Sequence, residues 1–326
     1  MKYTTTYCGW KYEYDSETKQ YNIIPPDRRN VAPSSLFKYY ALSPNNVDAL
    51  LHNYLYASHP NQLNDWFDCC PQMIVYDNPI ILRNALKDAG YDSVPLSDEE
   101  LLRDEIALRE VRKGLWHTMY SKIGILSFSE VPWNVLMWSH YSQNKGLCIE
   151  FDYAQFPFTH YGPFPINYQS DIHEIHLRDT DFSVAVAVQF NVKHKRWQYE
   201  KEWRLIAQSS DGLDMEVFGE PELEKYGGAE RKFMYPINAI KSVGLGFSFF
   251  NPEELHFSED FSKTTITLNP QRDDTRMRKR VLEWLCCHKF IVNIALQDGL
   301  NDIHFCTSTI MESSDAFVLE ITDKLI

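Results

Sequence analysis

The stretch YEKEWRLIA (199–207) carries the densest alternation of charge in the sequence. As a strand it places Glu200, Glu202 and Arg204 on one side and Lys201, Trp203 and Leu205 on the other, because side chains alternate along a strand. Two carboxylates at i and i+2 converge on one face. Lining a cleft, they suit stabilisation of a positive charge developing on a ribose carbon. Arg204 would then orient a carboxylate or hold a phosphate through its planar fork. The plainer alternative is a wet strand face with cross-strand ion pairs.

Other residues with chemical potential are more scattered. MWSHYS (137–142) sets Trp138, His140 and Tyr141 close together. On one helix His140 and Tyr141 cannot both face a core, so at least one meets a surface or cleft; a buried, hydrogen-bonded pair supporting the fold is the competing reading. His173 and His176 have the spacing to share a metal on one helical turn, but no third ligand stands near them and loop histidines are the simpler reading. Cations cluster at Lys193, His194, Lys195 and Arg196, just before Trp197, and again at Arg276, Arg278, Lys279 and Arg280. Each cluster is either a phosphate-binding patch or a solvated face. There is no Walker A loop, GxGxxG, GxSxG or HExxH motif, and GLGFSF (244–249) reads as a tight turn.

The elements that must position these groups are mixed. SLFKYYAL (35–42) reads as a strand, Ser43-Pro44 opens a short helix through NNVDALLH, and YLYAS (54–58) is a second strand. HPNQLNDWFD is a loop. Residues 79–121 read as a helical insertion whose best signal is the capping box of Ser97 and Glu100, followed by Leu101, Leu102, Ile106, Val111 and Leu115 at near-helical spacing. IGILSFS (123–129) and LCIEFD (147–152) are strands flanking the helix WNVLMWSHYS (133–142), while 182–197 suits either strand or helix. Strands at FMYPI, IKSVGLGF, TTITL and KFIVNIAL follow, with a short helix at NPEELHF, a longer one over 273–288, and two weaker strands at IHFCT and AFVLEIT. The expected fold is α+β, a mixed and largely antiparallel sheet core with the 79–121 insertion. Residues 1–32 read as an N-terminal arm, 33–250 as the core carrying the site, and 251–326 as an α/β extension packed on it.

Composition narrows the function classes. The 326 residues hold 32 Lys and Arg against 45 Asp and Glu, a net charge of −13, so a general binder of nucleic-acid backbone is excluded while a local basic patch is not. With 44% apolar and 14% aromatic residues the chain can build a large core, which excludes global disorder. No apolar run approaches the roughly 18 residues that span a bilayer. No uninterrupted apolar stretch follows Lys2, so no secretory signal is expected and the cytoplasm is the expected location. The seven cysteines form no Cys-x-x-Cys pair and read as reduced thiols.

Several of these stretches resemble a bacterial family, the domain of unknown function 2971 family. LFKYYAL, LYASHPNQLND, ILSFSE, LMWSHYSQNKGLCIEFD, KRWQYEKEWRLI and INAIKSVGLG follow the family's order between Leu36 and Gly246. The most specific pieces are the MWSHY block with Gly146 and the W-x-x-E-x-E-W-R block at 197–204. Asn64-Asp65 is followed here by Trp66, where the family has proline. The resemblance implies a shared fold and shared site positions rather than a reaction.

A second resemblance is to the ADP-ribosyltransferase superfamily. LFKYYALSPNNVDALLHNYLYAS looks like its opening strand, helix and strand, with Lys38 or Tyr39 in the first polar position (usually His or Arg) and Tyr56 and Ser58 in the second. Glu202, with Glu200 two residues before it, looks like its closing glutamate. That resemblance implies an enzyme that takes NAD as substrate and cleaves the nicotinamide–ribose bond without a metal. Glu202 would stabilise the oxocarbenium-like ribose and Glu200 would serve the acceptor, a protein, a nucleic acid or water. Tyr56 or Trp138 would stack on nicotinamide, Lys38 and Arg204 would contact the pyrophosphate or ribose, and Asn64 and Asp65 would shape the covering loop. His140 and Tyr141 complete the substrate-binding candidates. A toxin or anti-phage effector acting with a partner protein or a second copy, and away from membranes, is the biological setting it implies. Two rival readings stand beside it: a non-catalytic module sensing a nucleotide or nucleic-acid end through Lys193–Arg196 and the aromatics, and a metal-dependent nuclease using Asp65, Glu200, Glu202 and His140.

Overall fold

Local signals in the sequence set many of the element boundaries. Ser43 accepts a hydrogen bond from the Asn46 N–H and Pro44 fixes the first helical residue, so helix Pro44–Leu51 starts where the pattern places it. The capping box at Ser97 and Glu100 forms in full at the head of helix Asp98–Arg103. The whole is α+β in a computed structural model that describes residues 1–27, 31–88, 95–110, 123–157, 160–208, 231–260, 262–297, 303–313 and 316–325. The insertion expected over 79–121 shows helices Pro79–Asp88 and Asp98–Arg103, while Val111 and Leu115 lie outside the described residues. Among the described residues no helix is long and apolar enough to cross a membrane.

The chain divides into two compact units, each discontinuous in sequence, rather than into arm, core and extension. The first comprises Met1–Ala32, Tyr56–Ser127 and Phe158–Phe233; the second comprises Pro33–Leu55, Phe128–Pro157 and Met234–Ile326.

In the first unit the expected arm is instead an antiparallel meander of strands Lys2–Tyr7, Trp10–Asp15 and Gln20–Ile24. Alternation explains it: Tyr7, Tyr12 and Ile23 turn into the unit's core, while Lys11 and Asn22 face outward. Tyr12 is fully buried, and its hydroxyl donates to Asn191 and accepts from the Asn167 amide. The ambiguous stretch 182–197 resolves into helix Phe182–Asn191 and strand Val192–His194. The helix is apolar on nearly every side because it lies inside the core cluster, packed on the meander. Strand Glu202–Gln208 pairs antiparallel with His160–Pro165, with an irregularity between Arg204 and Ile206. Gly162 lies opposite that irregularity at φ +99°, a conformation that glycine adopts without strain, and a Cβ there would sit 2.5 Å from the Arg204 carbonyl.

The second unit is built on a long sheet. Its strand order is Leu255–Phe257, Lys263–Ile266, Ala316–Leu325, Ile303–Ser313, Ile291–Gln297, Ile240–Leu245, Leu147–Phe151 and Leu36–Tyr40. Neighbours run antiparallel except Ile240–Leu245 beside Ile291–Gln297, which are parallel. Parallel neighbours need a crossover, and helix Thr275–His288 lies within that connection. Its buried face, Val281, Leu282, Trp284 and Leu285, follows helical periodicity. The two strands read as weak at the C-terminal end form the longest hairpin of the sheet. Arg278 on the same helix is wholly buried and donates to both Glu254 oxygens at 2.7 and 2.9 Å. Burial pushes the Glu254 carboxyl up, but the Arg278 hydrogen bonds and the backbone N–H groups of Asn251 and Asn269 outweigh it and bring it down to about 2.

Two outcomes are expected. Gly146 enters strand Leu147–Phe151 so close to the neighbouring strand that a Cβ would sit 1.9 Å from the Tyr40 carbonyl oxygen, whereas at Gly244 the nearest atom is 3.4 Å away. Gly146→Ala should therefore cost about 3 kcal/mol or more in urea unfolding and Gly244→Ala less than about 1 kcal/mol. Because Glu254 titrates lower folded than its ordinary 4.5, its contribution is complete above that value and is lost as pH falls towards about 2. Glu254→Gln should lower the unfolding midpoint at neutral pH and flatten its fall over that acid window.

Candidate functional site

The Glu-x-Glu-x-Arg pattern does not line a wet strand face. The strand begins only at Glu202; Glu200 closes a 3-10 turn, Lys195–Glu200, and the exposed Lys201 between them adopts the left-handed conformation at φ +43°. That kink turns both carboxylates inward without strict alternation. Glu200, Glu202 and Arg204 are 3%, 4% and 1% exposed.

What they meet is a sealed network of charges within the first unit. Arg204 Nε donates to Glu202 Oε1 at 2.7 Å, and its two terminal nitrogens donate to Asp68 at 2.8 and 2.5 Å. A further bond runs from Nη1 to the Phe190 carbonyl at 2.9 Å. Lys193 Nζ donates to Glu200 at 2.5 Å and Glu202 at 2.9 Å, and lies 3.5 Å from Asp68. The Tyr168 hydroxyl accepts from the Glu202 N–H. Burial would push the Glu202 carboxyl up, but the charges of Arg204 and Lys193 outweigh it and hold the group well below the usual carboxylate range. Burial would likewise pull Lys193 down, and Glu202 and Asp68 reverse the sign and raise it. Glu202, Lys193 and Arg204 therefore stay charged at neutral pH in this geometry.

Three segments are fixed by these bonds. Asp68 ends the loop HPNQLNDWFD, Phe190 ends helix Phe182–Asn191, and Lys193 sits in the strand that follows it. The loop is ordered by its own turns, with the Phe67 N–H on Asp65 Oδ1 and the Asp68 N–H on the Asp65 carbonyl. It carries Trp66 and Phe67 outward, 89% and 57% exposed. On the other side of Lys193, the turn Lys195–Glu200 presents Lys195 and Arg196 to solvent beside the half-buried Trp197.

The remaining candidates are dispersed. Tyr56 donates to Gln62, Ser58 forms a backbone bridge with Ile125, and Asn64 is exposed, all in the first unit. Lys38, Tyr39, Trp138, His140 and Tyr141 belong to the second unit. There Lys38 sits over the Phe128 ring at 5.3 Å, and Tyr39 donates to the Val131 carbonyl. Trp138 is wholly buried, stacked on Trp133 at 5.4 Å and edge-on to Tyr39 and Phe247, with its Nε1 donating to Pro132. It is a core aromatic with no face for a ligand. His140 is exposed and Tyr141 half-buried.

Sequence reasoning missed Asp68, which lies 136 residues from Arg204. It placed Lys193 and Arg278 in clusters read as a phosphate patch or a solvated face, whereas both are buried in ion pairs. His173 and His176 do not share a helical turn: His176 lies in a short strand with Nδ1 2.7 Å from Asp77. Among the described residues no group of three His, Cys, Asp or Glu side chains is placed to hold a metal ion. The four residues of the nuclease reading are divided, His140 in the second unit and Asp65, Glu200 and Glu202 in the first.

Residues 137–205 match a family described as protein of unknown function (DUF2971). The matched segment runs from the Trp138 helix to the Arg204 strand, narrower than the Leu36–Gly246 span of the resemblance, and takes in both of its most specific blocks. No curated protein and no solved structure matches the chain. The matched segment begins at the aromatic cluster around Trp138 and ends in the buried ion network of Arg204.

Removing one partner from such a network strands the others without water. Arg204→Met should cost about 3–5 kcal/mol in denaturant unfolding, and Asp68→Asn less, since it keeps the shape and one acceptor. As the folded Glu202 titrates below its unfolded value, the native protein should lose stability as pH falls below the ordinary carboxylate range, with no comparable loss between pH 6 and 8.

Proposed function

We propose that the first unit is a recognition module for an unstacked base with its phosphate, as in a free nucleotide or a nucleic-acid end, and that it binds without cleaving. One observation carries the reading: an exposed aromatic segment, Trp66–Phe67, and an exposed cationic turn, Lys195–Arg196, are both moored to the same buried charge network. Aromatic faces stack on any base, and arginine and lysine take phosphate. The mooring lowers the ordering cost of binding, because both segments are held before the ligand arrives.

The same network argues against cleavage. A catalytic carboxylate must offer an oxygen to the sugar, yet both Glu202 oxygens accept bonds from buried cations. Of the residues expected on nicotinamide and the pyrophosphate or ribose, Trp138 is sealed in the core of the second unit and Arg204 in the network of the first. Lys38 belongs to the second unit, and Tyr56 lies in the first with its hydroxyl donating to Gln62. NAD remains a fitting first ligand, since it joins two stackable rings through a pyrophosphate.

The test combines binding and chemistry in one series. NAD, AMP and a short single-stranded oligonucleotide are titrated by calorimetry at two salt concentrations, with and without EDTA, and nicotinamide release is followed. The expected result is salt-sensitive binding, unaffected by EDTA, weakened about tenfold or more in Trp66→Ala and in a Lys195→Ala/Arg196→Ala double variant, and no nicotinamide. AMP and oligonucleotide separate the two ligand sources. Nicotinamide release abolished by Glu202→Gln, in a variant that stays folded by circular dichroism, would sink the proposal and restore the NAD-cleaving reading.

A further inference from the structure

A second site of different chemistry lies in the second unit, in a cleft of about 420 Å³. That volume falls within the roughly 300–1,000 Å³ of small-ligand sites. Its walls are Leu42, Gln143, Lys145, Gln271, Arg272 and the pair Asp273–Asp274. Such a lining excludes a large apolar ligand: one aliphatic side chain faces two amides, two cations and two carboxylates.

The charges in the lining fall into two classes. Arg272 and Asp274 satisfy one another through two bonds at 2.7 and 3.0 Å, and Arg272 also donates to Asn251 at 2.8 Å. They are wall material. Lys145 and Asp273 are both exposed, and among the described residues neither has an ion-pair partner. One ammonium and one carboxylate therefore line the same small cleft without pairing each other. Two amides, Gln143 and Gln271, add donors and acceptors between them.

Both walls are built rather than loose. Gln143 and Asn144 adopt the left-handed conformation at φ +54° and +56°, held by the Asn144 N–H on the Trp138 carbonyl and the Ser248 N–H on the Asn144 carbonyl. Gly246 allows that approach: a Cβ there would sit 2.4 Å from the Asn144 oxygen. On the facing wall, the Gln271 N–H donates to Asn269, whose own N–H donates to the buried Glu254.

We propose that this cleft binds a small zwitterion of the α-amino-acid class, its carboxylate on Lys145 and its ammonium on Asp273. A ligand carrying both charges completes two ion pairs at once, whereas a simple anion would meet Asp273 and a simple cation would meet Lys145, each as a like charge. The site is independent of the nucleotide reading, since its lining residues all belong to the second unit.

The test is calorimetric titration of the full chain with the standard protein amino acids up to about 10 mM. For the tightest of them, the N-acetylated and C-amidated forms, each lacking one charge, are titrated too. The expected result is saturable binding by at least one zwitterion, weakened about tenfold or more in each blocked form and in each of Lys145→Ala and Asp273→Asn. Both positions are exposed, so the variants should unfold at the wild-type midpoint. Absence of binding across the panel overturns the proposal, as does binding that survives both substitutions or the loss of either ligand charge.

Discussion

A guanidinium taken wholly out of water is tolerable only when its N–H groups find partners, and the first unit is arranged around meeting that condition for Arg204. Its donors reach a loop aspartate, a strand glutamate and the carbonyl at a helix end. Glu202 is two residues away on the same strand and Phe190 fourteen residues earlier, but Asp68 lies 136 residues away, so the loop cannot move without leaving charge stranded. The order of the loop before Asp68 follows from this constraint together with its own turns at His59–Gln62 and Asp65–Asp68. Lys193 tightens the condition, because it shares Glu202 with Arg204 and brings Glu200 and Asp68 into the same balance.

The second unit solves a similar problem with the same chemistry. Arg278, on the helix that permits the parallel crossover, places its fork on Glu254, and Arg272 and Asp274 close the ring around it. In both units a buried arginine fastens a loop to a regular element through carboxylates. Charged residues that look available in sequence are thus partly consumed as fasteners. Both proposed sites draw instead on exposed charges outside the fasteners: Lys195 and Arg196 in one unit, Lys145 and Asp273 in the other.

Much of the secondary structure was legible because its signals are local. Ser43-Pro44, the Ser97 capping box and the apolar, aromatic-rich strands at 36–40 and 147–151 each depend on residues a few positions apart. The misreadings share a physical cause, which is dependence on distant partners. The tyrosine-rich start looks like an arm until Asn167 and Asn191 supply partners for Tyr12. Residues 182–191 favour no face in sequence because the helix is buried on nearly all sides. The Glu200–Arg204 pattern suggested a catalytic face because Asp68, which takes the Arg204 fork, cannot be linked to it by spacing, and because the Lys193 ammonium that pairs with both glutamates looked like part of a surface cluster. Trp138 looked like a stacking platform for the same reason: Tyr39, Trp133 and Phe247 enclose it from three separate segments.

The choice between binding and bond cleavage turns on an energy comparison at Glu202. For that carboxylate to reach a sugar it must release an oxygen from Arg204 or from Lys193, leaving a buried charged donor one bond short where water does not enter, although Asp68 and Glu200 still neutralise both cations. Such a loss costs about 1–3 kcal/mol, a sizeable share of the roughly 5–15 kcal/mol that keeps a typical domain folded. A substrate would have to supply that energy before any transition-state stabilisation began. Trp66 and Arg196 face no such barrier: they are in water already, their backbones are fixed, and contact with a base or a phosphate breaks nothing inside the fold. On this comparison the proposed ligand would meet the surface moored to the network rather than the network itself.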